Sequence, residues 1–168
     1  MNKIYFLIGA SGAGKTTAAK VLENKRTDIY FYYPDQEQEI PSMEEMVKQY
    51  GSTSTWQQIK TIERVKDVKE KYLHTKPVLI DTQSRYDFIK EACDKNGIEN
   101  YQVILFDCQD SIRNQRLHVR GQPELINEKM DGWAKFLRED CQKHGCAIVD
   151  TSNLTVEVMT NSLEKALK

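Results

Sequence analysis

The sequence has no surplus of either charge. Its 24 Lys and Arg stand against 25 Asp and Glu, a formal net charge of −1. That balance argues against a nucleic-acid partner, which calls for a basic face or groove. Cysteine is scarce: Cys93, Cys108, Cys141 and Cys146 form no CxxC pair and have no histidine at metal-ligand spacing. Reduced thiols in a cytoplasmic protein are the expectation, not a disulfide framework or a zinc module. Long apolar runs are also missing. Only five consecutive apolar residues precede Gly9, too few for a signal-peptide core or a membrane span. The chain contains no internal repeat, low-complexity segment or Pro-rich linker, and nothing in it implies an obligate protein partner. Hydrophobic residues at 39% and charged residues at 29% describe a globular chain with room for one core.

What is present is a regular alternation. Five strand-like stretches, IYFLI (4–8), DIYFYY (28–33), PVLID (77–81), YQVILFD (101–107) and CAIVD (146–150), are continuous apolar or aromatic runs. Such runs suit strands covered on both faces, as in a parallel sheet. Helical periods lie between them. Met43, Met46, Val47 and Tyr50 follow a Ser42/Glu45 capping box and end at Gly51, and a second box, Ser54/Gln57, is expected to open a long helix to about Leu73. Met130, Trp133, Ala134, Leu137 and Cys141 make the clearest stripe, and the TSN turn at 151–153 precedes a last helix. The prediction is a three-layer α/β domain over 1–168, with a five-stranded parallel sheet flanked by helices. The chain between the second and third strands, about 36–75, is longer than one crossover requires and reads as a two-helix insertion into a core of 1–35 and 76–168.

The strongest signal is Gly9-Ala10-Ser11-Gly12-Ala13-Gly14-Lys15-Thr16, then Thr17, which fits G-x-x-x-x-G-K-[ST] between a strand and a helix. Glycines let successive backbone N–H groups turn toward one anion, and the following helix N-terminus adds partial positive charge. Lys15 supplies a point charge for the β- and γ-phosphates, and the Thr16 hydroxyl can bind Mg²⁺. The ligand this implies is a nucleoside triphosphate, with ATP and Mg²⁺ the expected pair, in a P-loop NTPase fold.

Two clusters bear on what receives the phosphate. In a parallel sheet ligands sit beyond the carboxyl ends of the strands, so Asp81, ending the third strand, should lie near the cradle to hold metal or accept a proton. Arg85 follows, able to fork onto a phosphate or carboxylate. After the fourth strand, Arg113, Arg116 and Arg120 sit at i, i+3 and i+7, one helix face that could clamp a transferring phosphoryl group. Arg138 either joins them or is a surface residue.

These segments together resemble the nucleoside-monophosphate kinase group, of which adenylate kinase is the best-known member. DTQSR (81–85) stands where those enzymes carry Asp-Gly-aromatic-Pro-Arg, and RLHVR (116–120) where they carry lid-opening arginines. AIVDTSN (147–153) is similar to their last strand and base-binding turn. The resemblance implies Asp81 in the metal shell, Gln83 and Arg85 at the acceptor, and Arg116, Arg120 and Arg138 on the transferred group. Arg116 and Asn153 would contact the nucleotide. It makes 36–75 the acceptor-binding part and about 120–129 a short lid.

Departures from that pattern concern the acceptor. Thr82-Gln83-Ser84 replaces Gly-aromatic-Pro, and Asp35, Glu37 and Glu39 would repel a monophosphate. Asp35 is either a hydrogen-bond acceptor for an uncharged, hydroxyl-rich substrate, as in the shikimate and gluconate kinases of this fold, or a solvated loop residue. The expected activity is transfer of the ATP γ-phosphoryl to a small acceptor, a nucleotide or nucleoside first and a non-nucleotide metabolite second. A regulatory ATPase and a kinase of nucleic-acid 5′ ends rank lower, since no GTPase-type base-reading motif and no basic groove is present.

Overall fold

The computed structural model describes residues 1–37 and 40–167, except the side chain of Glu37. The strands are β1 (Ile4–Ile8), β2 (Tyr30–Tyr32), β3 (Val78–Asp81), β4 (Tyr101–Asp107) and β5 (Ala147–Asp150). The helices are α1 (Lys15–Glu23), α2 (Pro34–Glu37), α3 (Met43–Tyr50), α4 (Thr53–Lys71), α5 (Tyr86–Lys95), α6 (Asp110–Val119), α7 (Glu128–His144) and α8 (Val156–Ala166), with a 3₁₀ turn at Pro123–Leu125. All strand pairs are parallel, in the order β2-β3-β1-β4-β5. The apolar runs therefore become the sheet that their two-sided character predicts.

Strand alternation divides the core into two layers. Ile4, Phe6 and Ile8 pack with Val78, Ile80, Val103 and Leu105 beneath α4, α5 and α7. Tyr5 and Leu7 face the other way with Leu79, Ile104 and Phe106, beneath α1 and α8. β5 departs from the expected two-sided burial. Its Ile148 is 39% exposed, because β5 is an edge strand paired only with β4.

Two helix starts differ from the sequence expectation. The Ser42/Glu45 box forms as predicted. At α4, however, the cap is Ser52, whose hydroxyl accepts from the Thr55 backbone N–H at 3.0 Å. Gln57, released from that box, donates to the Gln83 carbonyl instead. At α8 the cap is Thr155, two residues beyond the TSN turn. In both cases several serines and threonines compete, and packing of the helix decides which one caps. The stretch expected as an insertion holds α3 and α4. Lys129 Nζ lies 3.4 Å from Met43 Sδ, so the first turn of α7 touches it.

Candidate active site

β1 ends at the centre of the sheet, and the glycine-rich loop leaves it there, at the carboxyl ends of the strands. Gly14 caps α1 with φ +92°, a left-handed conformation that glycine adopts freely. At Gly9, with φ +152°, a Cβ would lie 2.4 Å from the Phe106 carbonyl oxygen. Lys15 is 7% exposed, and its Nζ donates to the Gly9 carbonyl at 2.8 Å, inside the loop. Burial lowers its pKa, opposed by the nearby carboxylates of Asp81 and Asp35.

The loop floors a cleft of about 480 Å³, a size suited to a small ligand. Asp81 and Gln83, from the end of β3, form one wall. Tyr33 and Asp35, following β2, form a second, and Arg120, Gln122 and Leu125 approach from the segment after α6. The Thr16 hydroxyl donates to Asp81 Oδ2. Burial pushes the Asp81 carboxyl above its ordinary range, and the Lys15 ammonium pulls it back. A buried carboxylate beside a hydroxyl, both opening on the cleft, is a hard-oxygen donor set that fits Mg²⁺. A cation bound there would offset the burial that disfavours the Asp81 charge.

The insertion is stitched to this site. Gln83 Nε2 donates to Ser11 Oγ at 3.2 Å, while its carbonyl accepts from Gln57 of α4. Thr61 Oγ1 lies 2.9 Å from Ser84 Oγ. One contact had no counterpart in the sequence reasoning: Arg64 Nη2 donates to Asp35 Oδ1 at 3.0 Å. The Arg64 side chain is only 9% exposed, and its Nε has no hydrogen-bond partner. The available signal was its spacing, three residues after Thr61 and four before Val68 on the buried side of α4. Asp35 is thus an oriented carboxylate on the cleft wall. Glu39 and the side chain of Glu37 lie outside the described residues.

The arginines expected to act together are dispersed. Arg120 is exposed at the end of α6 and lines the cleft. Arg116 Nη2 donates to the Thr151 carbonyl at 2.6 Å, and Thr151 Oγ1 donates to the Ala13 carbonyl at 2.8 Å, so Arg116 braces the phosphate loop from behind. Arg116 and the 82%-exposed Val119 also line a shelf of about 470 Å³. Arg113 is wholly buried and pairs with Asp131 and, at 3.5 Å, Asp110. It belongs to the core and not to a clamp. Arg138 forms a two-point pair with Asp107, at 2.6 and 2.9 Å. Arg85 donates to Asp87 at 3.1 Å and lies over the rings of Phe88 and Phe136. Neither Arg138 nor Arg85 lines the cleft: Asp107 takes Arg138, while Arg85 is held by Asp87 and two aromatic faces and keeps a buried Nε without a partner. Asn153 is exposed in the turn after β5. Ala10 and Ala13 are buried in the loop, and Thr17 lines the cleft.

Among the described residues, no helix is long and apolar enough to cross a membrane. No protein-family model matches the chain, and no curated protein matches it in sequence. Solved structures do. A shikimate kinase from Acinetobacter baumannii in complex with shikimate superposes with a TM-score of 0.66 at 15% identity, covering 99% of this chain and 93% of that one. A sugar kinase from Janibacter sp. HTCC2649 gives 0.67 at 13% identity, covering 99% and 95%. A gluconokinase from Sinorhizobium meliloti 1021 gives 0.65 at 12% identity, covering 99% and 91%. What this chain has in common with all three, along nearly its whole length, is the three-layer P-loop fold with its five-stranded parallel sheet.

Proposed function

We propose that this protein is an ATP-dependent phosphotransferase whose acceptor is a small hydroxyl-bearing metabolite and not a nucleotide. The observation that carries this reading is the Asp35 carboxylate, which lines the same cleft as the phosphate loop and is held from behind by the buried Arg64 of α4. Asp35 can accept the hydrogen of an attacking hydroxyl. Arg64, donating to Asp35 Oδ1 at 3.0 Å, keeps that carboxylate charged and oriented toward the hydroxyl. Polyols, hydroxy acids and sugar acids present such a hydroxyl. The neighbouring folds named for shikimate, sugar and gluconate kinases support the same acceptor class.

On this reading, the loop from Gly9 to Thr17 holds the ATP phosphates, and Lys15 turns from the Gly9 carbonyl to the β- and γ-phosphates. Thr16 and Asp81 would hold Mg²⁺, which supplies charge neutralisation on the phosphates when bound. Arg120 neutralises charge on the transferring group from the lid side, and Arg116 and Asn153 border the base. The helix α4 backs the acceptor side of the cleft through Gln57, Thr61 and Arg64, and 120–129 is the lid. Catalysis is then mostly positioning and electrostatic stabilisation.

The nucleotide-acceptor reading, closer to the nucleoside-monophosphate kinases, has less support. Gln83 Nε2 is bonded to Ser11, and Arg85, which would bind the acceptor phosphate, pairs with Asp87 and does not line the cleft. The test is ADP release from ATP-Mg²⁺ with panels of hydroxy acids, polyols, nucleosides and nucleoside monophosphates. Turnover is expected only with a hydroxy acid or polyol, and Lys15→Ala should abolish it without lowering the melting temperature. Turnover only with nucleosides or monophosphates would restore the nucleotide reading, and equal ADP release without acceptor would replace it by an ATPase.

A further inference from the structure

Outside the cleft, the first turn of α5 meets the last turns of α7. Asp140 and His144 are four residues apart on α7 and share a face, opposite Asp87 of α5. One donor atom from each of the three lies within 4.8 Å of the others. His144 Nε2 is 3.5 Å from Asp140 Oδ1 and 3.7 Å from Asp87 Oδ1. It nevertheless makes no hydrogen bond, and no solvent reaches it. A buried ring nitrogen left without a partner is uncommon, because it forfeits its hydration for nothing.

The surroundings aim these atoms at one another. The Tyr86 ring stacks on the His144 imidazole at 4.0 Å and 11°, which sets its plane. The Tyr86 backbone N–H donates to Asp140 Oδ2 at 3.2 Å, leaving Oδ1 turned to the imidazole. Asp87 divides its carboxylate in the same way, with Oδ2 on Arg85 and Oδ1 on His144. The Asp140 side chain is 8% exposed and that of Asp87 54%, so the cluster is closed on one side and open to water on the other.

An imidazolium held between two carboxylates is the simplest alternative. It would draw nitrogen and oxygen to hydrogen-bond separation, about 2.7–3.2 Å. The observed spacings are longer. The 3.5 Å spacing falls within the edge of a tetrahedral metal site and the 3.7 Å spacing 0.1 Å beyond it, since ligand bonds of about 2.0–2.2 Å place neighbouring donors about 3.3–3.6 Å apart. We propose that Asp87, Asp140 and His144 form a binding site for a divalent transition-metal ion such as Zn²⁺, with water in the fourth position. The imidazole donor favours Zn²⁺, Co²⁺ or Ni²⁺ over Mg²⁺ or Ca²⁺, which take oxygen ligands. The ion would clip α5 to α7 two residues after Arg85, and so steady the segment that carries Gln83 and Arg85 past the cleft.

The test uses the full chain stripped by a chelator, then titrated with Co²⁺ in excess Mg²⁺, which occupies the oxygen donors of the cleft. One Co²⁺ per chain should bind, give visible d–d absorption and be displaced by Zn²⁺. Zn²⁺ should raise the melting temperature. His144→Ala should weaken Co²⁺ binding at least about a hundredfold and remove the Zn²⁺ effect. Because His144→Ala also loses the Tyr86 stack, the exposed Asp87→Asn serves as the second variant, expected to melt cooperatively and to bind Co²⁺ at least about tenfold more weakly. The proposal is overturned by unsaturable binding in excess Mg²⁺, by wild-type affinity in either variant, or by a thiolate–cobalt charge-transfer band, which would put the ion on Cys146.

Discussion

Replacing Gly9 by alanine tests the geometry of the phosphate loop without reference to any substrate. The added Cβ would stand 2.4 Å from the Phe106 carbonyl oxygen, and real Cβ atoms do not come within 3.0 Å of such neighbours. The end of β1 and the end of β4 must therefore part by 0.6 Å or more, the difference between those two distances. Both strands are central in the sheet and joined along their length, so neither yields easily. Overpacking of this kind costs about 1–3 kcal/mol, and holding a non-glycine residue at positive φ about 1–2 kcal/mol more. With unfolding entropy of about 2.1 cal/mol/K per residue, a total of about 2–5 kcal/mol lowers the melting temperature by about 6–14 °C for a chain of this length. Gly97 supplies the control. Its φ is +62° and nothing lies within 4 Å of its Cβ position, so Gly97→Ala carries only the backbone cost, about 3–6 °C. Calorimetry on the two variants reads the difference, and a nucleotide-induced thermal shift reads the cradle. Equal melting temperatures, or an unimpaired ATP shift in Gly9→Ala, would refute the close approach on which the loop's shape depends.

Three further outcomes are expected. Arg64→Ala, which frees the Asp35 carboxylate from the charge-assisted bond that orients it, should raise the KM for the acceptor about 10- to 100-fold and leave the KM for ATP unchanged in steady-state assays. Asp81→Asn removes a carboxyl that burial holds above its ordinary pKa of 3.8. Between that value and its folded-state pKa, the folded form binds more protons than the unfolded one. The wild type should therefore lose stability relative to the variant as pH rises through this window, and show no further relative change above it, in melts across the acid range. Asp131→Ala strips the principal partner from the buried Arg113 and leaves only Asp110 at 3.5 Å. Discounting for the 39% exposure of Asp131, the loss is about 2–3 kcal/mol, or about 6–9 °C by calorimetry, with no change in ATP affinity.

How far the sequence could be read depended on the range of the interactions involved. β1 and β4 end where their apolar runs end, and the Ser42/Glu45 box forms as written, because neighbouring residues supply every partner. The Ser54/Gln57 box had the same local signature, yet Ser52 caps α4 and Gln57 crosses to Gln83. A tertiary contact outweighed a local one. The arginines diverged further from expectation. A helix face aligns Arg113, Arg116 and Arg120, but Asp131, Thr151 and open solvent give them three different roles. Arg64 leaves little trace in the sequence, because a charged residue in a helical stripe looks like a gap in the core face, and its partner Asp35 is 29 residues away.

The sequence by itself determined the phosphate loop and the parallel sheet behind it. Glycine's backbone freedom and continuous apolar runs act over a few residues and leave little for the rest of the chain to alter. Only the tertiary structure decided which charged groups face the cleft, that Arg64 orients Asp35, and that Asp87 of α5 meets Asp140 and His144 of α7. Long charged side chains reach several ångströms and take the best partner the packed helices offer, and that choice is made by elements far apart in the chain.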